Sequence, residues 1–274
     1  MTITTDPIGR HTAPAEPPPA PLLNPTMLGL ELTRMLRNPV GLFFTAILPA
    51  FFYVVFGAAQ AYGDEPVGNG NVSMSIMIAM AAYGAVTATI SVGGSSALER
   101  SQGWGRQLGL TPLRDRTYVA VKVALAVLVA GVPITLIYTI GALSGAEGPA
   151  PAWLLSALVL VVGSMVFSLY GLAFGLAFRS EAAVSGAGGS VVILGFLGNV
   201  FFPLSGALLA VARWTPLYGY ASLARYPLTE GWLLAADGGL VHEPLWIPVV
   251  NVAAWLLILA LTTTWLVRRG RGRQ

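Results

Sequence analysis

The chain has 274 residues, of which 55% are hydrophobic and only 10% charged, against roughly 25% charged in an ordinary soluble domain. With a mean hydropathy of +0.71, this excludes a water-soluble core and points to several helices crossing a bilayer, each needing about 20 apolar residues for a hydrocarbon layer about 30 Å thick. Cysteine is absent, which removes disulfides, thiolate metal sites and cysteine nucleophiles, and the net charge of +3 matters only through its distribution.

Met1 to Leu23 holds six prolines and no apolar run, so it reads as a disordered, Pro-rich cytoplasmic tail and neither a signal peptide nor a span. Residues 24–274 are then one membrane domain. Asn24 to Asn38, NPTMLGLELTRMLRN, opens with a capping Asn and a Pro in the first helical position and closes before Pro39. At about 100° per residue Leu28, Leu32, Met35 and Leu36 share one face, with Thr33, Arg34 and Arg37 opposite. This predicts an amphipathic helix in the membrane interface, either a plain anchor or one that also touches a cytoplasmic partner.

Apolar runs of spanning length follow at Val40 to Gln60, Met74 to Ser96, Tyr118 to Leu143, Trp153 to Phe178, Val184 to Phe202 and Trp246 to Val267. Six continuous runs, without the ten-residue alternation of a barrel, predict an all-α polytopic membrane protein. The second and fifth, rich in Gly, Ala, Ser, Met and Phe, could line an apolar path or serve only for packing.

Between the second and third runs lies ALERSQGWGRQLGLTPLRDRTYVAVK, Ala97 to Lys122. Leu98, Trp104, Leu108, Leu110 and Leu113 are interleaved with Glu99, Arg100, Arg106, Arg114, Asp115 and Arg116, with breaks at Gly103 and Gly105 and a new turn at Pro112. The stretch is too charged for lipid and too apolar for a solvated loop. It fits a short amphipathic helix in a cytoplasmic protein groove, or a membrane-hugging loop whose basic residues enforce topology.

Ser205 to Leu228, before the last run, is apolar but is cut by Pro216 and carries Arg213 and Arg225. Halves of about ten to twelve residues cannot cross a bilayer. Two re-entrant or interfacial helices at the outer surface are expected, with Trp214, Tyr218, Tyr220 and Tyr226 as interfacial aromatics; a plain external loop is the alternative.

Charge sets the orientation. The first, third and fifth connections carry Asp64, Glu65, Glu147, Glu230, Asp237 and Glu243 against only Arg213 and Arg225, while the other thirteen of the fifteen basic residues lie on the opposite side. By the positive-inside rule both termini are cytoplasmic.

Catalytic motifs are missing. The lone lysine, Lys122, lies in VKV, so no P-loop can form, and the two histidines, His11 and His242, lie outside the runs. Serines within the runs therefore have no histidine base there. Charge inside the runs is confined to Lys122, which disfavours proton coupling.

Two motifs, in order, carry a resemblance. Glu99-Arg100, Gly103, Leu108 and Thr111-Pro112 look like an E-R-x-x-G-T-x-x-x-L-x-x-T-P pattern, with Trp104 in place of a small polar residue. P-L-S-G at Pro203 to Gly206 and T-P-x-Y at Thr215 to Tyr218 precede the last run. Along Asn24 to Arg269 the chain resembles bacterial ATP-binding-cassette permeases of the second export type, which include daunorubicin-resistance-like drug exporters. The resemblance implies a permease without its own nucleotide site, with ATP and Mg bound by separate ATPase subunits. It also implies a second permease copy, or a homologous permease, in the bacterial cell (inner) membrane, and no nucleic acid. The segment Leu98, Glu99, Arg100, Gly103, Arg106, Leu108, Leu110, Thr111 and Pro112, with the N-terminal helix, would receive the ATPase's motion. Pro203, Arg213, Trp214, Pro216, Tyr218 and Arg225 would belong to the outer re-entrant segment. The alternative from another class is a membrane enzyme or assembly scaffold that needs no ATPase.

Overall fold

A computed structural model describes residues 24–102, 115–236 and 238–271. The Pro-rich tail, Gly103 to Arg114, Asp237 and residues 272–274 lie outside the described residues.

Nine helices organise the described residues: α1 (Pro25–Leu36), α2 (Pro39–Ala58), α3 (Val72–Ser101), α4 (Asp115–Leu143), α5 (Ala150–Phe178), α6 (Glu181–Leu197), α7 (Gly206–Ala212), α8 (Pro216–Thr229) and α9 (Trp246–Arg271). The strands are two short hairpins, β1 (Pro66–Val67) with β2 (Gly70–Asn71) and β3 (Trp232–Leu234) with β4 (Leu240–His242), both antiparallel. The protein is thus an all-α polytopic membrane protein, as the apolar runs require.

Several boundaries follow from local chemistry. Asn24 caps α1 by accepting the Met27 amide at 3.1 Å, with Pro25 next, and Asn38 caps α2 by accepting from Gly41 at 3.0 Å, with Pro39 next. The elbow between α7 and α8 falls at Thr215-Pro216, the break expected from Pro216. Within α2, two π-helical turns, Phe43–Ile47 and Val54–Ala58, flank Pro49. Pro49 has no N–H to give the Thr45 carbonyl four residues back, and a widened turn absorbs the gap.

Among the described residues five helices, α2 to α5 and α9, are long and apolar enough to span a bilayer. The fifth predicted run is shorter than expected. α6 has 17 residues and rises about 26 Å, just short of the ~30 Å layer. It stops before Asn199, whose φ of 57° ends the ladder. Phe201 then turns back to meet the rings of Phe52, Tyr83 and Phe196.

The core lies around α3, whose most apolar window is 83% buried against 22–39% in the other four spans. Its main partner is α5, and their backbones nearly touch. A Cβ on Gly93 would strike the Ser168 carbonyl, and one on Gly171 would strike the Ile90 carbonyl. Of the two runs considered for an apolar path, α3 is therefore a packing helix. α6 keeps an outward face at Val192, Ile193 and Phe196.

The acid-rich connections meet at one end. Asn69 Nδ2 donates to Glu230 Oε1 at 2.7 Å, and Asn71 holds the turn before α5 through its Nδ2 to the Gly145 carbonyl at 2.7 Å and its Oδ1 from the Glu147 amide at 2.9 Å. α1, the end of α3 and the start of α4 meet at the other.

Candidate functional site

The apolar face of α1 does not lie on lipid alone. Leu28, Leu32 and Met35 pack against the buried Ala88, Val92, Leu125, Ala126 and Val129 of α3 and α4, whereas Leu36 is half-exposed and Leu30 points away. The sequence placed this face in the interface. The structure turns most of it toward the protein because α3 and α4 present an uncovered apolar flank there. Leu32→Glu is accordingly expected to destabilise the protein by about 2 kcal/mol or more, since it drives a carboxylate into that contact. Thr33→Glu, on the exposed face, should change stability by less than about 0.5 kcal/mol. Thermal unfolding of the two purified variants, followed by tryptophan fluorescence, measures the difference.

Beside this contact three helices are joined by charge. Lys122 Nζ, near the start of α4, donates to Glu31 Oε1 of α1 at 2.7 Å and lies 2.8 Å from Glu99 Oε2 at the end of α3. Glu99 also accepts the Tyr118 hydroxyl at 2.9 Å, and Arg34 approaches it at 3.9 Å. The side chains of Lys122, Glu99 and Glu31 are 10%, 14% and 18% exposed, so this lysine and its two carboxylates are largely withdrawn from water, while Arg34 at 75% is not. A buried pair of this kind adds little net stability but is costly to break from one side. It fixes α1 against the ends of the helices that flank residues 102–115.

Of the segment assigned to coupling, Leu98, Glu99 and Arg100 form the last turns of α3. Gly103, Arg106, Leu108, Leu110, Thr111 and Pro112 lie outside the described residues. Arg34 joins the cluster only at its rim, and Arg37 caps the exposed end of α1. Sequence reading missed Glu31, although it sits about 60° from Leu28 on the apolar side of the helix. An acid on an apolar face and a lone lysine in a span were complementary anomalies.

At the opposite end a second polar group holds α7 and α8. Arg213 Nε donates to Glu243 Oε1 at 2.9 Å, and the Tyr218 hydroxyl donates to both Glu243 oxygens at 2.8 Å. Burial, then the Glu243 charge, pushes the Tyr218 phenol up to about 12, so it remains a donor at physiological pH. Asn251 of α9 donates to the Arg213 and Thr215 carbonyls at 2.6 and 3.1 Å, pinning the elbow.

Pro216 is buried at the start of α8, Pro203 is exposed in the loop before α7, and Trp214 is 81% exposed. Tyr218 and Tyr220, expected as interfacial aromatics, are both buried, Tyr220 donating to the Leu160 carbonyl of α5 at 2.7 Å. Arg225 is also interior, giving Nη2 to the Asn199 carbonyl at 2.9 Å. The reason is that α8 docks into a groove that α5 leaves open at Gly163 and does not float at the lipid surface.

No group of three or more His, Asp or Glu that could hold a metal is present among the described residues. The inner cluster ties α1 to the end of α3 and the start of α4, and the outer one ties the α7–α8 elbow to Glu243 and α9.

Comparison with known proteins agrees with a transport role. A family model described as ABC-2 type transporter matches residues 25–229, from the start of α1 to the end of α8. The chain is also 24% identical, over 245 residues, to "Putative transport permease YvfS" of Bacillus subtilis (strain 168), covering 87% of this chain and 94% of that protein.

Proposed function

Because the chain belongs to the ABC-2 type transporter family, we propose that it is the permease subunit of an ATP-binding-cassette exporter powered by separate ATPase subunits. ATP and Mg are bound by those subunits and not by this chain. Two permease copies, or this chain and a homologous permease, enclose the path, and the cargo is a lipophilic or amphipathic compound moved outward, as in drug efflux. α6 counts as the sixth span. The complex sits in the bacterial inner membrane with both termini in the cytoplasm, a placement supported by the thirteen basic residues on one side.

The observation that carries the reading is the tie from Glu31 through Lys122 to Glu99. A push on residues 102–115 acts on the end of α3 and the start of α4, and the tie obliges α1 to follow. The ATPase's closure around ATP then biases one of two arrangements of the permease pair.

The test is to capture the full chain from its native membrane and assay copurified ATPase in lipid. An ATPase stimulated by this chain is expected. Leu108→Ala should release it or uncouple transport, with the spans still inserted, because a buried anchor is typically worth at least about 2 kcal/mol, or roughly thirtyfold in affinity. Arg114→Ala, a rim charge, should do much less. Normal efflux with Leu108→Ala, together with scrambled orientation when Arg106, Arg114 and Arg116 are all removed, would instead make the stretch a topology device.

A further inference from the structure

The β3–β4 hairpin joins α8 to α9. Its register pairs Trp232 with His242, Leu233 with Val241 and Leu234 with Leu240, and successive side chains on a strand point to opposite faces. One face is packed, with Leu233 buried against Leu209, Ala212 and Tyr218 of α7 and α8. The other carries Trp232, Leu234, Leu240 and His242. A hairpin with one face packed and the other in water alternates apolar with polar residues. Here three of the four outward side chains are large and apolar, and Trp232, Leu234 and Leu240 are 43%, 38% and 59% exposed. The fourth, His242, holds its ring 4.9 Å from that of Trp232.

Hydrogen bonds fix the level of this face along the bundle. α9, a helix of spanning length, begins at Trp246. Asn251, about 7.5 Å further along its axis, donates to the Arg213 and Thr215 carbonyls. Trp255, a turn deeper, donates its indole N–H to the Trp214 carbonyl at 2.9 Å. α7 therefore ends beside the first turns of a span, and the hairpin packs on α7. From His242 at the end of β4 the chain reaches Trp246 over at most about 14 Å. Leu245 and Trp246, both exposed, carry the apolar surface from the hairpin into α9, whose own exposed face continues through Val249 and Val250.

We infer that the outward face of the β3–β4 hairpin is a lipid-contact surface, seated in the headgroup layer beside the start of α9, with Leu234 and Leu240 toward the acyl boundary. Trp232 suits that level, because its ring is apolar while its indole N–H can meet a headgroup oxygen. A second copy of this chain is the rival occupant. Four outward positions, however, fall far short of the ~20 residues a side that a stable protein interface uses. The contact also braces the elbow, since Glu243, the residue after β4, accepts from Arg213 and Tyr218. Either orientation of the chain leaves the face at the same depth, and no ATPase is involved.

The chain has no cysteine, so a nitroxide can be attached at single positions of the full-length protein in liposomes of phosphatidylcholine and phosphatidylglycerol. Leu234→Cys and Leu240→Cys carry the label on the outward face. Asp64→Cys, exposed at the same end, is the water reference, and Leu257→Cys, exposed within α9, is the hydrocarbon reference. Power-saturation EPR reports access of oxygen, which concentrates in lipid, and of a water-soluble nickel chelate. Both face labels should show severalfold less nickel access than position 64, with oxygen access between the two references. Nickel access equal to that at position 64 places the face in water and overturns the inference. A label that is immobilised and closed to both reagents is covered by protein, which overturns it as well. Either face label decides alone if the other variant does not fold.

Discussion

Lys122→Met is expected to cost about 3–5 kcal/mol, because it leaves two largely buried carboxylates without their shared cation. In the native arrangement one ammonium group lies 2.7 Å from Glu31 and 2.8 Å from Glu99. Without it, both groups keep the cost of leaving water and gain mutual repulsion. The protein can escape only by protonating a carboxyl or by swinging α1 away, and either route loosens the contact of Leu28, Leu32 and Met35 with α3 and α4. Thermal unfolding of the purified variant should show the loss directly. Neutralising all three members, with Glu31→Gln and Glu99→Gln added to Lys122→Met, should recover most of the stability, since the penalty comes from unpaired charge and not from a missing contact. Recovered stability without recovered ATPase-driven transport would place the role of the cluster in transmission. Arg34→Ala, removing an exposed partner 3.9 Å from Glu99, should cost under about 1 kcal/mol. A melting temperature for Lys122→Met equal to that of the native chain would mean that water reaches both carboxylates, and the tie would have no mechanical meaning.

The second large effect is expected where α3 crosses α5. Overpacking usually costs about 1–3 kcal/mol because neighbouring side chains can shift. At Gly93 and Gly171 the atoms met are backbone carbonyls on the facing helix, which cannot shift without moving the helix itself. Gly93→Val or Gly171→Val should therefore exceed that range and separate the two helices that form most of the core. Gly171 and Gly175 are one turn apart and both face α3, the arrangement that lets membrane helices approach closely. Gly131 on α4 is the control: a Cβ there meets nothing within 4 Å. Gly131→Ala should be neutral or slightly stabilising, since Ala is the better helix former by up to about 1 kcal/mol. Expression, monodispersity and melting temperature of the three variants would measure this, and a stable, monodisperse Gly93→Val protein would refute the close crossing.

The parts legible in the sequence share a short physical range. The limits of α1, the start of α2 and the elbow at Thr215-Pro216 are set by caps and prolines, which act within three or four residues. The helical class followed from apolar length, because lipid offers no partner for an open N–H or C=O. α6 departed from its expected end for the same kind of reason in reverse. Apolar residues continue to Phe202, but Asn199 takes a left-handed conformation and the aromatics behind it turn inward to Phe52 and Tyr83.

What the sequence determined by itself is that this chain spans a membrane as helices, and where the breaks set by caps and prolines fall. Which helix lies at the centre was decided only by the tertiary structure. The most buried span, α3, has a hydropathy of 1.7, below the 1.9–2.4 of the four others. In water, burial and hydropathy rise together. In a bilayer they need not, because lipid tails are as apolar as a protein core, and helices sort inward by how closely they can pack. Small residues such as Gly93 bring α3 to the middle, and their effect depends on Ser168 and Ile90 being opposite. The charge cluster has the same character. Glu31 and Lys122 are 91 residues apart, and no local rule pairs them. They meet because α1 folds back over α3 and α4, and because a carboxylate and an ammonium group leaving water must find each other there.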